Sequence, residues 1–240
     1  MQRYFITANQ WLEDNFITIL EDDAHHIIRV MRMNLGDEII CVHPNGAQAI
    51  CTITSVTDGE VHASVEKWLN TDVELPVQVT IAQGLPKGDK FELILQKGTE
   101  LGATAFIPFQ AGRSVVKWDE KKAEKKLQRF KKIVKEASEQ SHRNKIPEIG
   151  KVTSLTQLLE QSKNHDVKLF GYEEEARSEN FCRLSEVLNK LTTNQSVLAC
   201  IGPEGGFTSE EVDRLKDAGF YSVRFGPRIL RTETAPLYLL

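Results

Sequence analysis

The sequence predicts an α/β protein, in which a small, mostly antiparallel β module precedes a larger domain built on a parallel sheet. Three observations predict it. Residues 77–109 read strand, helix, strand, the pattern of a parallel sheet. Two apolar runs, 197–201 and the one starting at Val223, each lead into a Gly-Pro turn, as buried strands of such a sheet do. The first 68 residues hold short apolar runs separated by Asn45-Gly46 and Asp58-Gly59, the strongest hairpin turn dipeptides.

Composition narrows the function classes. At 240 residues the chain has room for one large domain or two modest ones. Its 40% hydrophobic and 27% charged content is ordinary for a soluble globular protein. No run is long and apolar enough to cross a bilayer. Met1-Gln2-Arg3-Tyr4-Phe5-Ile6 lacks the apolar stretch of a signal peptide, so a cytoplasmic protein is expected. Cys41, Cys51, Cys182 and Cys200 form no C-x-x-C pair, which argues against zinc ribbons and redox motifs. The six histidines show no ligand spacing, and no metal is expected. A net charge of −4 argues against a protein coated in positive charge. It leaves RNA open as a partner, because a local basic patch supplies the attraction.

In the N-terminal module, residues 16–20 read as a strand and Glu21-Asp22-Asp23 as an acidic turn. Residues 24–33 read as a short helix with Ile27, Val30 and Met31 on one side. Strands follow at 38–42, 47–56 and 61–68, and the sum is a small β-barrel. Arg29 and Arg32 are three apart and would share a helix face. The polar stretch 70–76, ending in Pro76, is the best domain boundary and divides the chain into 1–70 and 76–240.

The second domain opens with a strand at 77–83 and a turn, Gly84-Leu85-Pro86-Lys87-Gly88. A helix follows with Phe91, Ile94, Leu95 and Leu101 as its core stripe and Gly102 as its cap. Lys87 lies at the carboxyl end of a strand, where function concentrates. Arg113-Ser114-Val115-Val116-Lys117 is a short loop or strand with two cations. Residues 119–142 form a lysine-rich helix with Leu127, Phe130, Val134 and Ala137 inward; most of its cations read as a solvated face. Pro147 prevents its continuation, and Arg143 stands at its end. A helix at 154–161 opens on a Ser-x-x-Gln capping box. A strand at 167–171 ends in Tyr172-Glu173-Glu174-Glu175. A helix at 178–191 places Phe181, Leu184, Leu188 and Leu191 inward.

The next strand, 197–201, runs into Gly202-Pro203-Glu204-Gly205-Gly206-Phe207. Gly205-Gly206 permits positive φ and close approach of a ligand. Thr208 and Glu211 form a capping box that starts a helix. Strand, glycine turn and helix make a ligand site at the carboxyl end of a parallel sheet. Neither Gly-Lys-Ser/Thr nor G-x-G-x-x-G is present, which excludes a P-loop and a dinucleotide fingerprint. Glu204 in the turn would repel a polyphosphate, so a cationic or neutral ligand fits better.

These residues, together with Gly226-Pro227-Arg228-Ile229-Leu230-Arg231-Thr232-Glu233-Thr234-Ala235, resemble the SPOUT class of S-adenosylmethionine-dependent RNA methyltransferases, and within it the RsmE type. The segments His25-His26-x-x-Arg29-x-x-Arg32, Lys87-Gly88-Asp89-Lys90 and Glu139-Gln140-x-x-Arg143-Asn144 are similar to that family as well. The resemblance implies an N-terminal PUA-like RNA-binding barrel, a SPOUT domain with a C-terminal trefoil knot, and a homodimer. It implies methylation of uridine N3 in 16S rRNA, within the small ribosomal subunit. It implies S-adenosylmethionine held by Phe170, Gly171, Ile201, Gly202, Gly205, Gly206, Phe225, Gly226, Ile229, Leu230 and Ala235. RNA would be held by Arg3, His25, Arg29, Arg32, Lys87, Arg113, Lys117 and Arg143.

Methyl transfer is an in-line displacement, and uridine N3 must lose a proton. On the resemblance, Arg231 stabilises the developing uracil anion, and Glu233 or Glu204 accepts the proton or orients Arg231. Two alternatives stay open: a SPOUT enzyme acting on another rRNA or tRNA base, and a non-catalytic RNA-binding protein with a structural glycine turn. Family members continue past Leu240 with a full helix. A helix confined to 234–240 is marginal by itself, so an altered knot and dimer, or a truncated sequence, is expected.

Overall fold

The structure, a computed structural model, describes residues 1–12, 15–57, 59–172 and 182–240. The chain divides into two units. One is Met1–Glu74 with Ser138–Lys145, the other Leu75–Ala137 with Ile146–Leu240. The first unit therefore takes in a segment from far along the chain, which the contiguous division at 70–76 does not include.

The first unit holds a five-stranded sheet of β1 (Arg3–Phe5), β2 (Phe16–Ile19), β3 (Glu38–Val42), β4 (Gln48–Val56) and β5 (Val61–Leu69), in the order β1-β3-β4-β5-β2. Among the described residues, β1 and β3 pair in parallel and the other neighbours pair antiparallel. Alternate residues point inward: Ile17 and Ile19 on β2, Ala49, Cys51 and Ile53 on β4, Val61 and Ala63 on β5. Cys41 and Cys51 are packed thiols in this core.

Glu21-Asp22-Asp23, expected as a turn, form the first turn of α1 (Glu21–His25), where carboxylates favour the positive end of the helix dipole. The chain then widens into a π-helical turn, His26–Met31, and stops at Arg32, which is left-handed at φ 53°. The wider winding rotates the face that an α-helix would bury. Ile27 stays inside, but Val30 and Met31 are exposed. Arg32 lies beyond the helix, so it does not share a helical face with Arg29.

Two arginines expected at an RNA surface are interior. Arg143 is 3% exposed, and its guanidinium pairs with Glu74. The same carboxylate accepts the amide of Asn144 at 2.9 Å. Arg3 is buried too and donates to the carbonyl of Arg143 at 2.8 Å. Burial pushes the Arg3 guanidinium below its ordinary value. Neither guanidinium is presented to a surface: that of Arg143 is tied to a carboxylate and that of Arg3 to a backbone carbonyl, which are structural roles.

The second unit is a parallel sheet. In chain order it contains β6 (Gln78–Gly84), α2 (Lys90–Glu100), β7 (Ala105–Gln110), most of α3 (Glu120–Gln140), β8 (Glu148–Ile149), β9 (Thr153–Ser154) and α4 (Leu155–Gln161). There follow β10 (Val167–Gly171), β11 (Cys182–Arg183), α5 (Leu184–Leu188), β12 (Ser196–Ile201), α6 (Ser209–Asp217), β13 (Tyr221–Arg224) and α7 (Ala235–Leu239). Its described strands run β11-β13-β10-β12-β6-β7-β8, with β9 also on β7. Side chains alternate between two cores. Ile81, Leu169, Val197 and Ala199 meet α2, α3, α5 and α7 on one face. Ala82, Phe170, Leu198 and Cys200 meet α4 and α6 on the other. Burial on both faces explains the unbroken apolar run 197–201 of β12.

Local signals set several element ends. Gly102, at φ 103°, stops α2, which leaves Leu101 45% exposed instead of in the core stripe. Ser154 with Gln157, and Thr208 with Glu211, close the two expected capping boxes. The helix expected over 178–191 is confined to α5 among the described residues. Phe181 and Glu173-Glu174-Glu175 lie outside the described residues.

Candidate active site

The site forms where three loops leave the carboxyl ends of β10, β12 and β13. These strands are neighbours, so their loops converge. After β12 the chain turns through Gly202-Pro203-Glu204-Gly205-Gly206. Gly206 takes φ 66°, which only glycine adopts freely. A Cβ on Gly202 would lie 3.3 Å from the backbone of Gly206. The turn is held from below by Glu211, whose buried carboxylate accepts the amides of Thr208 at 2.8 Å and Gly112 at 2.7 Å. At the end of β10, Gly171 abuts the Phe225 ring, and a Cβ there would come within 2.5 Å of it.

The loops enclose a cleft of about 430 Å³. Gly171, Ile201, Gly202, Gly205, Gly206, Phe225, Gly226, Ile229, Leu230 and Ala235 line it. Phe170 does not. It is fully buried, with its ring edge-on to Phe207 at 5.9 Å. Strand alternation turns it into the core while its neighbour Gly171 reaches the cleft.

Arg231 and Glu204 line the cleft as well. Lys90, in the family-like segment 87–90 but not expected at the site, also lines it. Its Nζ lies 2.9 Å from Glu204 Oε1 and 3.2 Å from Glu233 Oε2. The contact to Glu204 is a hydrogen bond; at Glu233 Oε2 the two charges are close without hydrogen-bond geometry. One ammonium thus joins the glycine turn to the loop before α7. The bond to Glu204 raises the Lys90 ammonium above its ordinary value, and Glu233 adds to this. Burial works to raise the Glu204 carboxyl, but hydrogen bonds from Lys90, its own amide and the Lys87 amide outweigh it and hold it low. The available signal was position: Lys90 opens α2 three residues after the turn lysine, Lys87.

The remaining cations are dispersed. Arg113 lines the cleft and donates to the carbonyl of Gly205 at 3.1 Å. Lys87 is exposed, with its amide on Glu204 Oε1 at 3.1 Å. Lys117 is exposed and does not line the cleft. His25, Arg29 and Arg32 are exposed in the first unit. A second hollow of about 440 Å³ lies between α5, the end of β13 and Tyr238. Among the described residues no carboxylate lines it, and it shares only Arg224 and Gly226 with the loop cleft. Among the described residues, no three His, Cys, Asp or Glu side chains are grouped to hold a metal ion. No helix there is long and apolar enough to cross a membrane.

Comparison with known proteins agrees with this arrangement. Residues 73–240 match the model of an RNA methyltransferase domain, and residues 19–66 that of an RNA methyltransferase PUA domain. The chain is 50% identical to ribosomal RNA small subunit methyltransferase E of Bacillus subtilis, over all of this chain and 94% of that protein. It is 34% identical to the Mycobacterium bovis protein of the same name, over 89% of this chain and 80% of that one. Among solved structures, the Neisseria gonorrhoeae ribosomal RNA small subunit methyltransferase E bound to S-adenosyl methionine superimposes with a TM-score of 0.85. Its identity is 29%, over 99% of this chain and 94% of that one. A putative methyltransferase of Legionella pneumophila with bound cofactor SAM gives a TM-score of 0.85 at 27% identity, over 98% and 93% of the two chains. With a PUA-like N-terminal domain, a SPOUT-like α/β domain and half its residues shared with a curated relative, the chain belongs to the ribosomal RNA small subunit methyltransferase E family.

Proposed function

We propose that the protein methylates N3 of a uridine in 16S rRNA, using S-adenosylmethionine held in the three-loop cleft. The observation that carries this is the cleft's composition: glycine backbone on three sides, with Glu204, Lys90 and Arg231 lining it and Glu233 behind the lining, against Lys90. Backbone approach at Gly171, Gly202, Gly205 and Gly206 suits a large neutral-to-cationic ligand, and the carboxylates suit a positive charge. Two solved relatives carry that molecule.

Ile201, Gly202, Ile229 and Leu230 would hold adenine and ribose through backbone groups. When bound, the donor supplies an electrophilic methyl group on a sulfonium. The chain's own residues act on the acceptor. Arg231 is exposed at the cleft and stabilises uracil O2 or O4 as N3 loses its proton. Glu204 is a poor base because its hydrogen bonds hold it ionised. Glu233 has the single close contact to Lys90 and is the proposed proton acceptor.

His25, Arg29 and Arg32, with Lys87, Arg113 and Lys117, are the proposed phosphate contacts. The assembled small subunit in the cytoplasm is the proposed substrate, and a homodimer the proposed active form. Exposed Ile229 and Tyr238, next to the cleft loops, suit a partner surface. We also infer that the first sheet closes as a barrel and the C-terminal segment is knotted. The bond from Thr232, which follows β13, to Gly202, which follows β12 on the far side of β10, supports the knot.

The experiment is mass spectrometry of nucleosides in 16S rRNA from cells lacking the gene. Loss of 3-methyluridine is expected, restored by the wild-type protein. Arg231→Ala should fail to restore it, with turnover down at least ~100-fold and donor affinity little changed. Unchanged 3-methyluridine in the deletion strain would overturn the proposal.

A further inference from the structure

At the carboxyl end of β6, Gln83 has no solvent exposure. Its Nε2 faces three oxygens: Thr232 Oγ1 at 2.9 Å, Gly84 O at 3.0 Å and Gly202 O at 3.4 Å. Thr232 Oγ1 itself donates to Gly202 O at 2.7 Å. These contacts fix the orientation of the amide. With the hydroxyl proton committed to Gly202, all three oxygens are acceptors, and only the NH2 end can meet them.

One side chain therefore joins three stretches remote in sequence: the end of β6, the turn after β12 and the loop before α7. Glycine at position 84 lets them meet, since a Cβ there would lie 2.7 Å from Pro203 N. The amide oxygen of Gln83 has no partner among the described residues. A buried polar node with an unmet acceptor carries a free-energy cost that an apolar side chain would avoid. Gln83 does not line the cleft, but Gly202 and Thr232 both do.

We propose that Gln83 and Thr232 form a clasp that sets the separation of the glycine turn from the loop before α7, making Gln83 a positioning residue for the methyl donor. This rests on the reading of the cleft as the S-adenosylmethionine site. The Gly202 carbonyl is engaged by both clasp residues and cannot swing into the cleft. The turn's remaining backbone groups then keep one orientation before the donor arrives, which removes an ordering cost from binding.

The test uses the full chain and S-adenosylmethionine, by calorimetry. Gln83→Leu and Thr232→Val remove the hydrogen bonds at similar volume. Each should weaken donor binding by about tenfold, roughly one net hydrogen bond. The double variant should be little worse than either single one, because both break the same node. Thr232→Ser keeps the hydroxyl and should bind within about twofold of wild type, a rescue that loss of packing would not give. If Gln83→Leu does not fold, Thr232→Val and Thr232→Ser carry the comparison alone. Donor binding within twofold of wild type in Thr232→Val, or an equal loss in Thr232→Ser, overturns the clasp. A wild-type protein that does not bind S-adenosylmethionine overturns the reading of the cleft instead.

Discussion

Lys90 carries more of the site than its neighbours, because one ammonium faces carboxylates from two loops. The pH behaviour follows from the direction of each shift. Glu204 is held below the ordinary carboxylate range, so its contribution to stability is present above that range and lost as pH falls through its folded value. Lys90 is held above the ordinary lysine value, so its contribution is present below that value and lost only as pH rises through the higher folded one. The pair is thus intact across neutral pH and fails at both extremes. In Lys90→Met the two carboxylates lose their shared cation, and the folded value of Glu204 rises. The acid limb of donor binding should then move to higher pH, and turnover at neutral pH should fall by ~10-fold or more. Calorimetric titration of S-adenosylmethionine across pH 4–8, wild type against Lys90→Met, reads this directly. Superimposable acid limbs would remove Lys90 from the site.

The strand ends and turns show how tightly the loops are stacked. Gly84 ends β6 directly under Pro203, and a Cβ there would lie 2.6 Å from the proline ring. Gly84→Ala cannot be absorbed by a rotamer change, because the opposing atoms belong to a proline and its backbone. The expected cost is about 1–3 kcal/mol by denaturant unfolding, as for overpacking in a close-packed interior. It should bring weaker donor binding, since the displaced segment is the cleft turn. A variant as stable as wild type would show that the turn yields. Elements of this kind were legible in the sequence. The Thr208–Glu211 and Ser154–Gln157 boxes are local signals with a spacing of three, and 197–201 of β12 is an apolar run, so neighbours alone define them. The π-helical turn at His26–Met31 was not legible. Its residues fit an ordinary helix equally well, and the register change appears only once Ile27 packs while Val30 does not. The cleft lining was readable because glycine turns announce close approach. The Lys90 bridge was not, because Glu204 and Glu233 lie 114 and 143 positions away and no local period links them.

The chain enters the first unit twice. It leaves at Glu74, builds the middle of the second unit, returns for Ser138–Lys145, and leaves again at Ile146. The returning segment is bound by polar ties more than by apolar burial. Arg143 pairs with Glu74, Asn144 donates to Thr71 O at 2.8 Å, and Arg3 caps the Arg143 carbonyl. Glu74 is the last residue of the unit's first pass, so this ion pair fastens the point where the chain departs to the point where it comes back. The Glu74 and Arg143 side chains are 12% and 4% exposed. Removing one partner strands the other charge in a poorly solvated place, which typically costs about 3–5 kcal/mol. Arg143→Met should therefore lower unfolding stability by about that amount. Replacing both partners, as Glu74→Gln with Arg143→Met, should recover most of the loss, because no unpaired charge remains and the side-chain amide oxygen can still accept from the Asn144 amide. Urea unfolding followed by circular dichroism measures both variants. The same pair of variants separates this structural role from the RNA contact that the sequence suggested for Arg143. A tie for folding predicts that the double variant regains rRNA affinity together with stability. A phosphate contact predicts that affinity stays low even after stability returns, and that result would restore Arg143 to the RNA surface.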